Sequence, residues 1–353
     1  VTRAVVGGSP LPPTVLAERL NAQLLSGPPA GSVADVTRRL LAIQAQDPRG
    51  ARLAIRARSA GLHAADVDRA LSEERSVLIT TLNRGTLHLV RAEDYWWLHP
   101  LTTPQLDVAV QRRLNAAQIT SDQADRGVRT VERALEQDGP STRAQLHEKL
   151  ATARVPVAGP VLGDLLLLAG LRGLVVRGPV VGSDHAFVLV PDWLGPAPTP
   201  LPEEVALGEL ARRYLAGHGP AGERDLAKWA GITLGHARRG FAAIADQLVD
   251  RGDGLAAVVD RSERATLPPP MLLGPFDPSL LGWASRVPIV DGHTQVITTN
   301  GLVRPVAMVG GRAVATWTLR RGTVTITPLG PRISAQDADA LDADAGAVLE
   351  FLS

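Results

Sequence analysis

Apolar residues recur at helical spacing over the first three quarters of the chain. Leu16, Leu20, Leu24 and Leu25 form one stripe, and Val33, Val36, Leu40 and Leu41 form another; steps of three and four place side chains on one face of an α-helix. The period then changes. Val77-Leu78-Ile79-Thr80-Thr81-Leu82 and Gly85-Thr86-Leu87-His88-Leu89-Val90 flank Asn83-Arg84 and read as a β-hairpin around an Asn-Arg-Gly turn. Helices followed by a hairpin is the order of a winged helix, a helix-turn-helix variant with a β wing.

Part of this order recurs. Asp138-Gly139-Pro140-Ser141-Thr142-Arg143-Ala144-Gln145-Leu146 aligns with His218-Gly219-Pro220-Ala221-Gly222-Glu223-Arg224-Asp225-Leu226. In each copy Gly-Pro ends an amphipathic helix and a small residue can cap the next. Each continues through a further helix, Val161 to Gly170 or Leu234 to Val249, then Arg172-Gly173 or Arg251-Gly252, then a strand, Leu174 to Val176 or Leu255 to Val259. Pro191 to Pro202 is expected to be an extended linker, and Leu267-Pro268-Pro269-Pro270 a second break. Beyond it, Gln295 to Thr298, Val303 to Val309, Ala313 to Leu319 and Thr323 to Thr327 read as strands, with turns at Gly310-Gly311 and Arg320-Arg321-Gly322. A helix from Ala335 to Phe351, N-capped by Ser334, closes the chain. The expected fold is α+β and mainly helical. Three tandem winged-helix units lie at 15–115, 120–195 and 203–265, and a β-rich region with its closing helix at 270–353.

Composition narrows the chemistry. There are no cysteines, which excludes disulfides, thiolate nucleophiles and cysteine zinc sites. No apolar run is long enough to span a bilayer. Val1 to Gly8 is too short an apolar stretch for a secretory signal, so a cytoplasmic location is expected. The net charge is +1, yet of 37 basic residues only Lys149 and Lys228 are lysine. A GC-rich coding sequence explains that bias, although arginine also presents a planar fork suited to phosphate oxygens. No His-Glu-x-x-His, Walker A or dinucleotide fingerprint is present, and Asp291-Gly292-His293 is a turn without metal-ligand partners at suitable spacing. Neither a metal nor a cofactor is expected.

One segment, Leu41-Ala42-Ile43-Gln44-Ala45-Gln46-Asp47-Pro48-Arg49-Gly50, holds an unusual set of polar residues. Pro48 keeps Asp47 out of the helical region, and in an extended chain residues two apart share a side. Gln44 and Gln46 would then present two carboxamides to one site. They could equally bridge a helix junction, and Asp47 could equally be an Asx turn or helix cap.

Four motifs together carry a resemblance: Ile43-Gln44-Ala45-Gln46-Asp47-Pro48, Arg84-Gly85-Thr86-Leu87-His88-Leu89-Val90, Glu93-Asp94-Tyr95-Trp96-Trp97 and Asn300-Gly301-Leu302-Val303-Arg304-Pro305. From about Leu16 to Trp317 the chain resembles the bacterial tandem winged-helix DNA glycosylases, above all the azinomycin-resistance type of actinomycetes. That resemblance implies a monofunctional hydrolase of N7-alkylated purines, including interstrand crosslinks. It implies a catalytic Gln-x-Gln, here Gln44 and Gln46; relatives that open other crosslinks carry Asp at the second position.

Two neutral amides suit that chemistry. An N7-alkylated purine is cationic and leaves without a general acid, so the site must supply a placed water and dipoles that favour an oxocarbenium-like sugar. Asp47 is the competing general base. Arg84 at the wing tip, Arg38 and Arg39 on the preceding helix, and Arg304 and Arg312 are candidate phosphate contacts, or solvated surface arginines. His88 points away from Leu87 and Leu89, towards a DNA cleft or into a structural hydrogen bond. Either C-terminal hairpin turn could enter a groove. Tyr95-Trp96-Trp97 reads as core more than as a stacking platform. The expected partner is duplex DNA, bound by a monomer. The rival is a non-enzymatic winged-helix regulator or drug-binding protein.

Overall fold

The computed structural model describes residues 11–182, 184–258, 265–298, 300–330 and 333–353. The expectations for Val1 to Gly8, and for the strand at Val259, lie outside them. The first segment holds α1 (Pro13–Ala22), α2 (Val33–Leu40), a short strand β1 (Ile43–Gln44), α3 (Pro48–Arg56), α4 (Ala64–Ser72) and the hairpin β2 (Val77–Leu82) and β3 (Thr86–Arg91). Helices α5 (Ala92–Thr102) and α6 (Asp107–Ala116) lead on to α7 (Ser121–Asp138), α8 (Arg143–Thr152), α9 (Val161–Leu171), β4 (Val175–Val181), β5 (Asp184–Leu189) and the short α10 (Val190–Leu194). A third set follows: α11 (Glu203–His218), α12 (Glu223–Ala230), α13 (Leu234–Ala243), β6 (Leu248–Asp250) and β7 (Ala256–Val258). The chain ends with β8 (Met271–Leu273), α14 (Val287–Val290), β9 (Val306–Val309), β10 (Arg312–Arg320), β11 (Thr323–Pro328) and α15 (Ala335–Leu352). The fold is α+β and mainly helical, with every pair of named strands antiparallel.

Local signals explain the helix starts. Thr120 and Thr142 each accept from the amide three residues on while Gln123 and Gln145 reach back, forming two capping boxes. Ser334 caps α15 through Asp337 N, as its sequence position predicts. Helix α9 is apolar almost all round because it is enclosed on nearly every side: Leu165 and Leu168 are fully buried. It is a core helix that meets solvent chiefly on the side of Gly163, Leu166, Leu167 and Gly170.

The structure departs from the sequence reading in several places. Strand β2 pairs with β4 at Ile79 and Arg177, so the first two hairpins join β1 in one five-stranded sheet of order β1-β3-β2-β4-β5. The helix expected from Leu234 to Val249 stops at Ala243, where Ala243 and Ile244 pack against Gly208 of α11; a 3-10 turn and β6 follow. Arg251-Gly252 therefore lies within the last hairpin, between β6 and β7, instead of before its first strand. In place of the strand expected from Gln295 to Thr298 there is a 3-10 turn over Thr294–Val296, with i to i+3 bonds from Val296 N to His293 O and from Ile297 N to Thr294 O, and a single antiparallel bridge between Ile297 and Val303. Pro305, which has no N–H to give, delays β9 to Val306, and β8 supplies an unforeseen fourth strand to that sheet. Pro191 opens α10, leaving only the chain after Leu194 extended.

A buried ion pair fastens the C-terminal region to the first segment. Arg58 donates to both oxygens of Asp277, at 2.9 and 2.8 Å, and to Gln23 Oε1 at 3.1 Å. Both charged side chains are 0% exposed. At the other end of α3, a Cβ on Gly50 would lie 2.5 Å from Pro275 O. The helix after the Gln-x-Gln segment is thus held at both ends by residues 275–277.

Candidate active site

Pro48 sits in the first turn of α3, where its missing N–H is no loss. It keeps Asp47 extended at φ −106°, ψ 113°. Asp47 Oδ1 accepts from Gly50 N at 2.7 Å, so this carboxylate caps the helix. The preceding residues remain extended because they add an edge strand: Ile43 and Gln44 pair with Leu89 and His88, and Ala45 N donates to Leu87 O at 2.7 Å. Gln44 and Gln46 consequently share a side. Gln44 Nε2 donates to Gln46 Oε1 at 2.8 Å. The inner amide, buried, anchors the outer one, which is exposed. Gln44 Oε1 has no partner among the described residues, and Gln46 Oε1 keeps its second lone pair. Both oxygens can accept from one further donor.

His88 stands on the same face. With Ala45 and Leu87 hydrogen-bonded, Gln44 and His88 form the neighbouring non-bonded pair, in which side chains come closest. Thr80 lies opposite His88 on the other side, so Thr80, His88 and Gln44 form a polar row across three strands. His88 Nδ1 is 2.8 Å from Thr86 O. A carbonyl only accepts, so Nδ1 carries the proton and Nε2 is an acceptor. Burial pushes the imidazole down to about 4, the Thr86 bond opposing and the Arg84 charge assisting. The ring is neutral near pH 7. Thr80 Oγ1 is buried without a partner. Gln46 also walls a cleft of about 170 Å³ between the β2–β3 hairpin and the α8, α9, β4 and β5 segment, lined among others by Thr80, Leu166, Phe187, Arg143 and Arg177.

Residues 37–351 match the protein family described as "DNA glycosylase AlkZ-like". The chain belongs to this family. Its members are DNA glycosylases, hydrolases of N-glycosyl bonds. An interstrand DNA cross-link repair glycosylase of Streptomyces sahachiroi is 27% identical over 337 residues, covering 89% of each chain. The solved structure of the Streptomyces sahachiroi DNA glycosylase AlkZ superposes with a TM-score of 0.77 over 97% of each chain at 23% identity, which speaks for the fold.

In this AlkZ-like glycosylase the sequence-selected arginines are scattered. Arg84 is not a free wing tip: its Nη1 donates to Lys228 O at 2.9 Å and Trp229 O at 2.5 Å. It caps the unsatisfied carbonyls ending α12 and so joins the β2–β3 turn to that helix. Arg38 is exposed and paired with Asp35. Arg39 has no ion-pair or hydrogen-bond partner among the described residues and borders a groove of about 760 Å³ with Arg38, Arg91, Arg212 and Arg213. Arg304 is exposed, and Arg312 pairs with Asp291 at 3.2 Å. None of these five lines the cleft beside Gln46. Tyr95 is core, 2% exposed. At the Gly310-Gly311 turn Gly310 is exposed, but Gly311 is buried and a Cβ on it would lie 2.9–3.2 Å from Leu16, Leu20 and Leu267, so that side of the turn is closed to a DNA groove. The Arg320-Arg321-Gly322 tip is exposed.

Three cleft residues escaped the sequence reading: Thr80, Arg143 and Arg177. The signal for Arg177 was present, a charge inside the apolar run Leu174 to Val181. Arg143 follows a helix cap and looks like any first-turn residue.

Proposed function

We propose that this glycosylase hydrolyses the N-glycosidic bond of N7-alkylated purines in duplex DNA, interstrand crosslinks of the azinomycin type included, and so protects a cell that makes or meets such an agent. The observation that carries this reading is the convergence of Gln44 and Gln46 through the 2.8 Å bond between their carboxamides. A water hydrogen-bonded through its two O–H groups to Gln44 Oε1 and Gln46 Oε1 keeps a lone pair for the sugar C1′; as the C1′–N9 bond breaks and the C1′–O bond forms, its surplus proton passes to bulk water. The same two dipoles favour positive charge developing on the sugar. No proton is needed by the leaving group, since a purine alkylated at N7 departs neutral. The carboxylate nearest in sequence, Asp47, is engaged as a helix cap, which favours the glutamines over it as the water-holding groups.

A crosslinked base is tethered to the opposite strand and cannot swing freely into an enclosed pocket. Gln44 sits on β1, the edge of its sheet, and Gln46 two residues beyond it is exposed, so the duplex can approach without full extrusion. The exposed Arg320-Arg321 tip suits a groove, and Arg38, Arg39 and Arg304 suit phosphates. The similarity to a named cross-link repair glycosylase supports the substrate class. Incubation with duplex DNA containing 7-methylguanine, followed by alkaline cleavage of abasic sites, tests the proposal. Release of 7-methylguanine with little release of adenine or guanine is expected; tight binding without release would leave a DNA- or drug-binding protein instead.

A further inference from the structure

Arg143 and Arg177 differ from most arginines of this molecule. Arg58, Arg91, Arg113, Arg172 and Arg213 each meet a carboxylate within 4 Å. Arg143 has neither an ion pair nor a hydrogen bond among the described residues. Arg177 has none either; its guanidinium lies over the Phe187 ring, 4.8 Å from the centroid. Two such cations side by side repel. The Arg177 guanidinium is held below its ordinary value first by burial and then by the Arg143 charge, with Asp184 offsetting part. Both line the cleft whose other wall is Gln46. The Arg143 guanidinium lies beside Gly163 of α9, 3.5 Å from where a Cβ there would stand.

We propose that this cleft seats a backbone phosphodiester of the DNA strand that carries the target base, gripped by Arg143 and Arg177, so that the adjoining sugar is presented to Gln44 and Gln46. The inference rests on the glycosylase reading above and names the group that occupies its cleft. The charge decides between occupants. A purine alkylated at N7 is cationic and would be repelled by two unpaired guanidinium groups, so the cleft is not a base pocket. A phosphodiester is anionic, is present beside every target sugar whatever the sequence, and offers two oxygens to two planar donors. Phe187 fixes Arg177 by stacking, which lowers the entropy lost on gripping a ligand.

The test is anisotropy of an undamaged labelled duplex over a potassium chloride series, with wild type, Arg143→Ala, Arg177→Gln and the double variant. Arg172→Ala, which breaks the ion pair to Asp125 outside the cleft, is the control. Each phosphate neutralised contributes about −0.9 to the slope of log K against log salt. The double variant should bind roughly tenfold or more weakly and lose about one unit of slope, with the control unchanged. Arg143 is exposed, so Arg143→Ala carries the test even if Arg177→Gln melts early. An unchanged slope in both Arg143→Ala and the double variant overturns the phosphate seat. The 7-methylguanine assay on the same proteins separates the two ideas: release with an unchanged slope sinks only the seat, and a lost slope without release in wild type sinks only the glycosylase reading.

Discussion

Replacing Asp277 by alanine should destabilise the protein more than any surface change. The carboxylate accepts two bonds from Arg58 and two more from Ser279, N at 2.9 Å and Oγ at 2.7 Å. Burial alone would raise its pKa, yet the Arg58 charge and these bonds hold it below the usual carboxylate range. Without Asp277 the Arg58 guanidinium is left charged, fully buried and unpaired, which typically costs about 3–5 kcal/mol. The double replacement Arg58→Met, Asp277→Leu removes both charges and should recover most of that loss. Urea unfolding followed by tryptophan fluorescence reads both. Because the pair anchors the end of the helix that begins at Asp47, Asp277→Ala should also slow base release. An Asp277→Ala midpoint within about 1 kcal/mol of wild type, or a double variant as unstable as the single one, would refute the reasoning.

Three further outcomes follow from the same structure. His88 is neutral in the fold at about 4 but titrates near 6.5 when unfolded; between those values only the unfolded chain gains a proton, so stability present above pH 6.5 is lost as pH falls towards 4. At about 1.4 kcal/mol per pH unit this amounts to about 3 kcal/mol, and melting temperatures of wild type and His88→Gln should converge with acidification. Arg84→Ala leaves the last carbonyls of α12 bare and should lower stability by about 1–3 kcal/mol in thermal melts; no change would mean that the junction it caps is unimportant. Asp47→Asn keeps an oxygen on the cap and should leave both stability and release rate within a few-fold of wild type. Abolished release in the 7-methylguanine assay would instead make Asp47 the general base.

The sequence showed most where one local rule decides the outcome. The body of α1 and α2, the turn between β2 and β3, and Ser334 at the head of α15 are each determined by neighbouring residues, although Leu24, Leu25 and Leu41 of the two stripes fall beyond the helix ends, with Leu24 and Leu41 at φ 59° and 64°. The side shared by Gln44 and Gln46 was legible only in part, since Pro48 fixes Asp47 alone as extended and pairing with Leu87 to Leu89 keeps Ile43 to Ala45 so. Long-range pairing escaped. The joining of two hairpins depends on Ile79 meeting Arg177, and nothing near either residue signals the other. Arg84 looked like a free wing tip because its partners are 144 and 145 residues away. Helix α13 was overextended because Ala-Ala-Ile-Ala suits a helix, whereas packing of Ile244 on Gly208 ends it. The cleft beside Gln46 was invisible for the same reason: its walls come from the β2–β3 hairpin and from the α8, α9, β4 and β5 segment.

The central claim is that two glutamines perform the hydrolysis, and single-turnover release of 7-methylguanine from a duplex addresses it most directly. Gln44→Ala and Gln46→Ala should each slow release on the order of a hundredfold, about 3 kcal/mol, while anisotropy shows near-normal duplex binding. The double variant should lose less than the product of the two, because both amides hold one water. Release by the double variant at the wild-type rate, with binding intact, would contradict the account.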